Sequence, residues 1–274
     1  MIRSVFAGRV VVLLLALSSV TLTAYSQEQP SPTPYKMDLQ KEWPVLGAAA
    51  TAAILPEVFK DHVKKSCPCD IADVNGLDRG TAGRKNDGID KVSTAAVVGA
   101  VASPYAAIFV DKRTWSDAVV DGFVTGEAIL VNVAFNQVIK LAAHRPRPMI
   151  YGLQDLPETH DLLNKPDNYF SFYSQHTSVV FAAGVSYART FALRHPQSRR
   201  RWLVYTAAIG GGATVASLRV LAGRHFPTDV MTGAAAGTSF GLLIPKLHRK
   251  SPTAAVSIVP TRSGAAVSVR LPLG

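Results

Sequence analysis

Charge is scarce in this chain. Only 18% of its 274 residues are charged, and acidic residues are the shorter side, 19 Asp and Glu against 29 Lys and Arg, for a formal charge of +10. With 48% hydrophobic residues and a mean hydropathy of +0.17, that composition excludes a disordered chain and argues against a nucleic-acid binder, whose basic residues sit among many other charges. Two cysteines cannot staple a fold of this length, so burial must build the core. Strand alternation is nearly missing, which excludes an all-β architecture, and no fixed-period repeat is present.

What is there is a series of apolar runs rich in Ala, Gly and Val: 44–55, 92–110, 119–138, 177–193, 202–218 and 230–245. Each has helical length, so the expected fold is all-α, a helical bundle crossing a membrane several times. Residues 1–26 read as an export signal, with Arg3 and Arg9 ahead of an uncharged run and a small-x-small ending at Ala24-Tyr25-Ser26; a retained anchor is the alternative. Residues 27–43 read as a proline-rich linker, 44–249 as the helical domain, and 250–274 as a tail with a short β-hairpin around Arg262-Ser263-Gly264. Cys67 and Cys69 can close a disulfide outside the cytoplasm or remain thiols.

Basic clusters at Lys112-Arg113, at Arg189 to Arg201, and at Lys246 to Lys250 occupy alternate inter-helix ends. If five helices from Val92 onward span, all three fall on one side, as the positive-inside rule requires, with Trp115 and Trp202 placed as interfacial anchors. Arg199-Arg200-Arg201 then reads as a loop facing anionic lipid. A soluble bundle with solvated basic loops is the rival reading. Asp121 and Glu127 would be costly against lipid and are expected to face the interior, where they could support a site.

Three segments concentrate chemistry at helix ends. Lys140-Leu-Ala-Ala-His-Arg-Pro-Arg147-Pro148 ends a helix and leaves two cations beyond it. In Tyr173-Ser174-Gln175-His176, Ser174 can cap the next helix and expose its first amides. Leu218-Arg219 is followed by His225 and Asp229, one turn apart. Fixed cations, amide donors and two imidazoles suit phosphoryl transfer.

Together these segments resemble the signature of the type 2 phosphatidic acid phosphatase and vanadium haloperoxidase superfamily: Lys, six residues, Arg-Pro; Pro-Ser-Gly-His; Ser-Arg, five residues, His, three residues, Asp. The resemblance covers about half the chain. Tyr173 stands where the family has proline, Gln175 where it has glycine, and Leu218 where it has serine, with Ser217 a neighbour that could compensate. The resemblance implies His225 as nucleophile forming a phosphohistidine, with Asp229 holding its second ring nitrogen and His176 as general acid. It implies phosphate binding by Lys140, Arg147, Arg219, the Ser174 hydroxyl and the Gln175 amide, with no metal and no cofactor. Arg145 and Arg224 have no role in that pattern and could line the rim or face water.

The function so implied is hydrolysis of a phosphate or diphosphate monoester, of a lipid in particular, by an exported inner-membrane enzyme whose active site faces the periplasm. Its partners would be the membrane and a phosphorylated lipid, with no nucleic acid; the oligomeric state stays open. A soluble periplasmic acid phosphatase acting on small phosphomonoesters, a vanadium-dependent haloperoxidase and a non-enzymatic lipid-binding relative are the rivals.

Overall fold

The structure, a computed structural model, describes residues 32–62, 67, 69–111, 114–152 and 160–250, together with the backbone of 255–261 and 264–270. Each of the six apolar runs forms a helix: α1 (Leu39–Phe59), α2 (Asp87–Val110), α3 (Trp115–Ala143), α5 (Gln175–Arg194), α6 (Arg201–Leu221) and α7 (Pro227–Leu247), with a one-turn α4 (His160–Asn164) between α3 and α5. Local chemistry sets several boundaries. Asn86 caps α2 by accepting from the Ile89 amide at 3.0 Å, and Thr114 caps α3 through Asp117 at 3.2 Å. Pro227 opens α7, where its missing N–H costs nothing.

Helix α5 is the hub, packed against α2, α3, α6 and α7, while α1 lies along α3. Crossings this close need small residues. A β-carbon on Gly233 would stand 2.7 Å from the Ser174 carbonyl oxygen, one on Gly241 would stand 3.0 Å from that of Ala182, and one on Gly237 would collide with that of Ser178. Every fourth residue of α7 is therefore glycine along its seam with α5, the small-xxx-small solution to backbone approach. This seam brings the start of α7 to the start of α5, where the Ser174 amide donates to the Asp229 carbonyl at 3.1 Å.

Several expectations change here. The segment read as linker is partly folded: α1 begins at Leu39 rather than at residue 44, and Tyr35, 1% exposed, places its hydroxyl 2.7 Å from that of Thr190. One buried aromatic and two flanking hydrogen bonds, Lys36 amide to His248 carbonyl and Lys250 amide to Pro34 carbonyl, outweigh the proline-rich composition. The signal segment lies outside the described residues, as do Lys112 and Arg113. Ala255–Thr261 and Gly264–Arg270 pair antiparallel along the backbone, but the fold class rests on the helices, and the expected hairpin-like tail is not established as part of it. Cys67 and Cys69 are joined in a disulfide.

Among the described residues three stretches, Asp87–Val110, Trp115–Ile150 and Arg201–Leu221, are long and apolar enough to cross a membrane, where five spans from Val92 onward were expected. Helix α5 falls short because it is enclosed by four neighbours and needs no apolar exterior; its buried face carries Ser178, Ser186, Thr190 and Arg194. Asp121 is fully buried as expected, but its partner is Arg194, at 3.0 Å, which removes that arginine from the solvated basic cluster. Neither Asp121 nor Glu127 lines the cavity described below; Asp121 is engaged by Arg194 and Glu127 faces His248.

Gly237→Ala is expected to lower the unfolding midpoint by the equivalent of about 1–3 kcal/mol, the cost of overpacking a close crossing. Gly210→Ala on exposed α6, where nothing approaches within 4 Å, should be neutral or slightly stabilising. Thermal unfolding of both variants, monitored by circular dichroism, makes the comparison.

Candidate active site

Helix α3 ends in a left-handed residue, His144 at φ 44°, whose amide donates to the Lys140 carbonyl at 3.1 Å. That stop turns the chain back across the helix end. The Arg147 amide then donates to Asn168 O at 2.8 Å, which aims the Arg147 side chain into the same cavity as Lys140. Lys140 Nζ donates to Gln175 Oε1 at 3.2 Å. Gln175, in the family's glycine position, thus contributes an acceptor that fixes the lysine.

Ser174 is the N-cap of α5, as expected, accepting from the Thr177 amide at 3.4 Å and lying 3.0 Å from the Thr177 hydroxyl. Its own hydroxyl is spent on capping and does not line the cavity. Gln175 and His176, the first two residues of α5, do, at the positive end of the helix dipole. Tyr173 is buried, and its carbonyl accepts from Asn136 Nδ2 at 2.8 Å.

His225 lies in the loop before α7 and is 2% exposed. Its Nδ1 is 2.8 Å from the Ser171 carbonyl. A carbonyl can only accept, so Nδ1 carries the proton and Nε2 keeps its lone pair. The expected direct bond to Asp229 is not made: Asp229 Oδ2 stands 3.7 Å from Nδ1. That oxygen already accepts from the Ser171 hydroxyl at 2.6 Å and the Phe226 amide at 2.8 Å. Asp229 therefore orients the imidazole through Ser171, one residue removed.

Burial holds the His225 imidazole down at about 4, with Asp229 opposing that shift. Burial also holds His176 down, to about 3, reinforced by Arg219, His225, Lys140 and Arg147. Both imidazoles are neutral at pH 7 while the cavity holds no anion.

The cavity itself measures about 220 Å³ and is lined by Lys140, Arg147, Gln175, His176 and His225, with Gln137, Asp167, Phe170 and the end of α1 around them. Ser174, Arg219 and Asp229, the remaining sequence candidates, sit behind this wall. Arg219 donates to Asp90 at 2.6 Å and to the Ser93 hydroxyl at 2.8 Å. Ser217 does not make up for Leu218, because its hydroxyl bonds back to Ala213 O at 2.9 Å on the exposed side of α6; Ser93, from α2, supplies the hydroxyl next to Arg219 instead.

Sequence reasoning missed five carboxylate contacts that hold this region together. Asp90 accepts from Arg219 and, on its other oxygen, from Arg224 at 2.6 Å. Asp78, fully buried, accepts from Arg145 at 2.7 Å and from the Thr228 hydroxyl at 2.6 Å. Burial alone would raise the Asp78 carboxyl, but the Thr228 and Arg145 hydrogen bonds outweigh it and hold the group below its ordinary range. Arg145 also reaches Asp229 at 2.6 Å and stacks 4.4 Å over Phe226. Arg145 and Arg224 are thus internal cross-links rather than a basic rim. Their pairing could have been suspected only from unexplained arginines beside motif residues.

The family model described as PAP2 superfamily matches residues 121–252. The matched segment contains all three motifs and is just under half of the chain. The chain is also similar, at 21% identity and a TM-score of 0.43, to the crystal structure of the first transmembrane PAP2 type phosphatidylglycerolphosphate phosphatase from Bacillus subtilis, over 76% of this chain and 94% of that one. No curated protein matches.

Arg145→Met would leave the Asp78 and Asp229 carboxylates buried without their cation, at an expected cost of about 3–5 kcal/mol in denaturant unfolding. Adding Asp78→Asn to it should recover part of that loss, since the pair is coupled.

Proposed function

We propose that the chain is a phosphatase that hydrolyses a phosphate or diphosphate monoester of a lipid through a phosphohistidine on His225. One observation carries this reading: a single cavity of about 220 Å³ gathers a neutral histidine nucleophile, a second histidine, three cationic side chains and a helix N-terminus. In the first step His225 Nε2 forms a bond to phosphorus while the bond to the lipid oxygen breaks, and His176 gives its proton to the departing alkoxide. In the second, water attacks the phosphohistidine, His176 takes the water's proton, and inorganic phosphate leaves.

Lys140, Arg147 and the first amides of α5 would hold the equatorial oxygens, where transition-state charge spreads. Arg219 adds positive potential from behind, and Ser174 acts through the helix cap rather than by direct contact. Burial, reinforced by the cations, keeps His176 neutral; a phosphate anion would offset the cations' share and so favour the protonated general acid. The cavity residues alone suffice for this chemistry, with no step routed through a metal.

The lipid assignment is supported by the exterior. Trp43, Ile54, Val98, Phe109, Trp115, Phe135, Trp202 and Leu203 are all exposed, on helices that include the three long enough to span. The cavity sits where α3 and α6 end and α5 and α7 begin, whereas Arg199 to Arg201 and Lys246 to Lys250 lie at the other ends of α6 and α7. Basic residues on the cytoplasmic side would then put the cavity on the periplasmic side of an inner membrane, after export directed by residues 1–26.

Phosphate release from a panel of lipid phosphates in detergent micelles, against a chromogenic small ester, tests the reading. Turnover should favour the lipids, fall at least about 10³-fold in His225→Ala and fall about 10²–10⁴-fold in His176→Asn. Unchanged turnover in folded His225→Ala would sink the assignment, and preference for the small ester would favour a soluble-type phosphatase.

A pH profile tests the nucleophile separately. With its value held at about 4, His225 stays unprotonated through neutrality, so the acid limb of kcat/KM corrected for substrate ionisation should lie at about 4, not near the ordinary 6.5. Asp229 works to raise that value, so Asp229→Asn should move the acid limb lower still.

A further inference from the structure

At the end of the bundle away from the cavity, three helices place titratable side chains against one another. His248 follows α7, Glu127 lies on α3 and Glu42 on α1. His248 Nε2 is 3.1 Å from Glu127 Oε2 and 3.2 Å from Glu42 Oε1, and one donor atom from each residue lies within 4.8 Å of the other two. The His248 and Glu127 side chains are 6% and 4% exposed and that of Glu42 14%.

The hydrogen bonding of this cluster is incomplete. His248 Nδ1 lies 3.1 Å from the Ile244 carbonyl, which can only accept, so the Nδ1 position carries a proton and Nε2 is turned toward the carboxylates. Despite the short distances, neither Nε2 nor Glu127 Oε2 has a hydrogen-bond partner of acceptable geometry. A buried carboxylate and a partly buried one facing a nitrogen off the hydrogen-bond line are unfavourable unless something positive lies among them.

We propose that Glu42, Glu127 and His248 form a divalent metal site, taking Zn²⁺ ahead of harder ions, that clips α1, α3 and the end of α7 together. Three lines support it. Tetrahedral metal–donor bonds of about 2.0–2.2 Å put donor atoms roughly 3.3–3.6 Å apart, and the two His248–carboxylate pairs, at 3.1 and 3.2 Å, lie close to that spacing. One imidazole with two carboxylates is a donor set that zinc accepts. The Nδ1 bond to a backbone carbonyl is the outer-shell arrangement that fixes a metal-binding imidazole with its Nε2 lone pair outward. The site is structural, separate from the proposed chemistry at His225, and holds whether or not that chemistry is correct.

The test uses the full chain, purified in detergent without an affinity tag and stripped with EDTA, then titrated with Zn²⁺ alone. One tightly bound ion per chain is expected by elemental analysis and calorimetry, with saturating Zn²⁺ raising the unfolding midpoint by at least about 4 °C. Glu42→Gln, at the most accessible ligand, should weaken binding at least tenfold; His248→Ala should abolish it; His225→Ala should bind as the unmodified chain does. Co²⁺ in place of zinc should give visible d–d bands that Glu42→Gln alters. Absence of a retained ion, or equal affinity in Glu42→Gln, overturns the site and leaves a histidinium held between two carboxylates. Should His248→Ala fail to fold, Glu42→Gln decides.

Discussion

Everything at the candidate site depends on keeping cations inside a protein of low charge. A guanidinium taken out of water is stable only when a carboxylate or several acceptors replace its hydration. The fold assigns its few buried carboxylates accordingly: Asp90 to Arg219 and Arg224, Asp78 and Asp229 to Arg145, and Asp121 to Arg194. Among the described residues no carboxylate is within ion-pairing distance of Lys140 or Arg147, the two motif cations that line the cavity. Lys140 donates to the neutral oxygen of Gln175, Arg147 Nε is buried with no hydrogen-bond partner, and Asp167, in the same wall, acts on both only at longer range. Anion affinity is therefore built by leaving those two charges without a direct ion pair, and the neighbouring pairs are what make that tolerable.

The second constraint is geometric. Motifs far apart in sequence must converge to within the span of one phosphate, and the glycine seam between α5 and α7 accomplishes it. Because Gly233 abuts the Ser174 carbonyl, the turn bearing His225 lies against the turn bearing His176. Ser171 then joins them, donating its hydroxyl to Asp229 and accepting from His225 with its carbonyl. A carboxylate acting through a serine rather than directly gives the imidazole the same tautomer while freeing both carboxylate oxygens for Arg145, Ser171 and the α7 cap.

The helices and the motif residues that line the cavity were legible in the sequence because both are local signals, whereas Lys60, Gln137, Asp167 and Phe170 carry no such signal. Apolar runs of helical length mark α1 to α3 and α5 to α7, and the catalytic pattern is spaced within single turns, such as His225 to Asp229. What could not be read was pairing across the chain: Asp90 meets Arg219 over 129 residues and Asp78 meets Thr228 over 150. Nothing in either neighbourhood announces its partner. Tyr35 failed for the converse reason, since its proline-rich surroundings concealed a side chain that tertiary packing buries. Ser217 was misjudged because adjacency in sequence on a helix means about 100° of rotation, which turns its hydroxyl away from Arg219's side. Gly233, Gly237 and Gly241 form a pattern that was visible, but its meaning needed the facing helix.

The two ends of the bundle also differ in how they treat charge, and that difference bears on how such a chain sits in lipid. At the cavity end Arg145, Arg219 and Arg224 are drawn inward and matched to carboxylates, although Arg84, Lys85 and Lys91 stay exposed there. At the opposite end Arg199, Arg200, Arg201 and Lys250 stand at the surface with Trp202 exposed beside them, while Arg194 is withdrawn to Asp121. Surface basic residues beside an aromatic anchor are what an anionic leaflet attracts, and buried, compensated arginines are invisible to it. The same residue type thus serves two unrelated ends, and only burial and pairing, not the overall charge of +10, distinguish the arginines that build the site from those that face the surroundings.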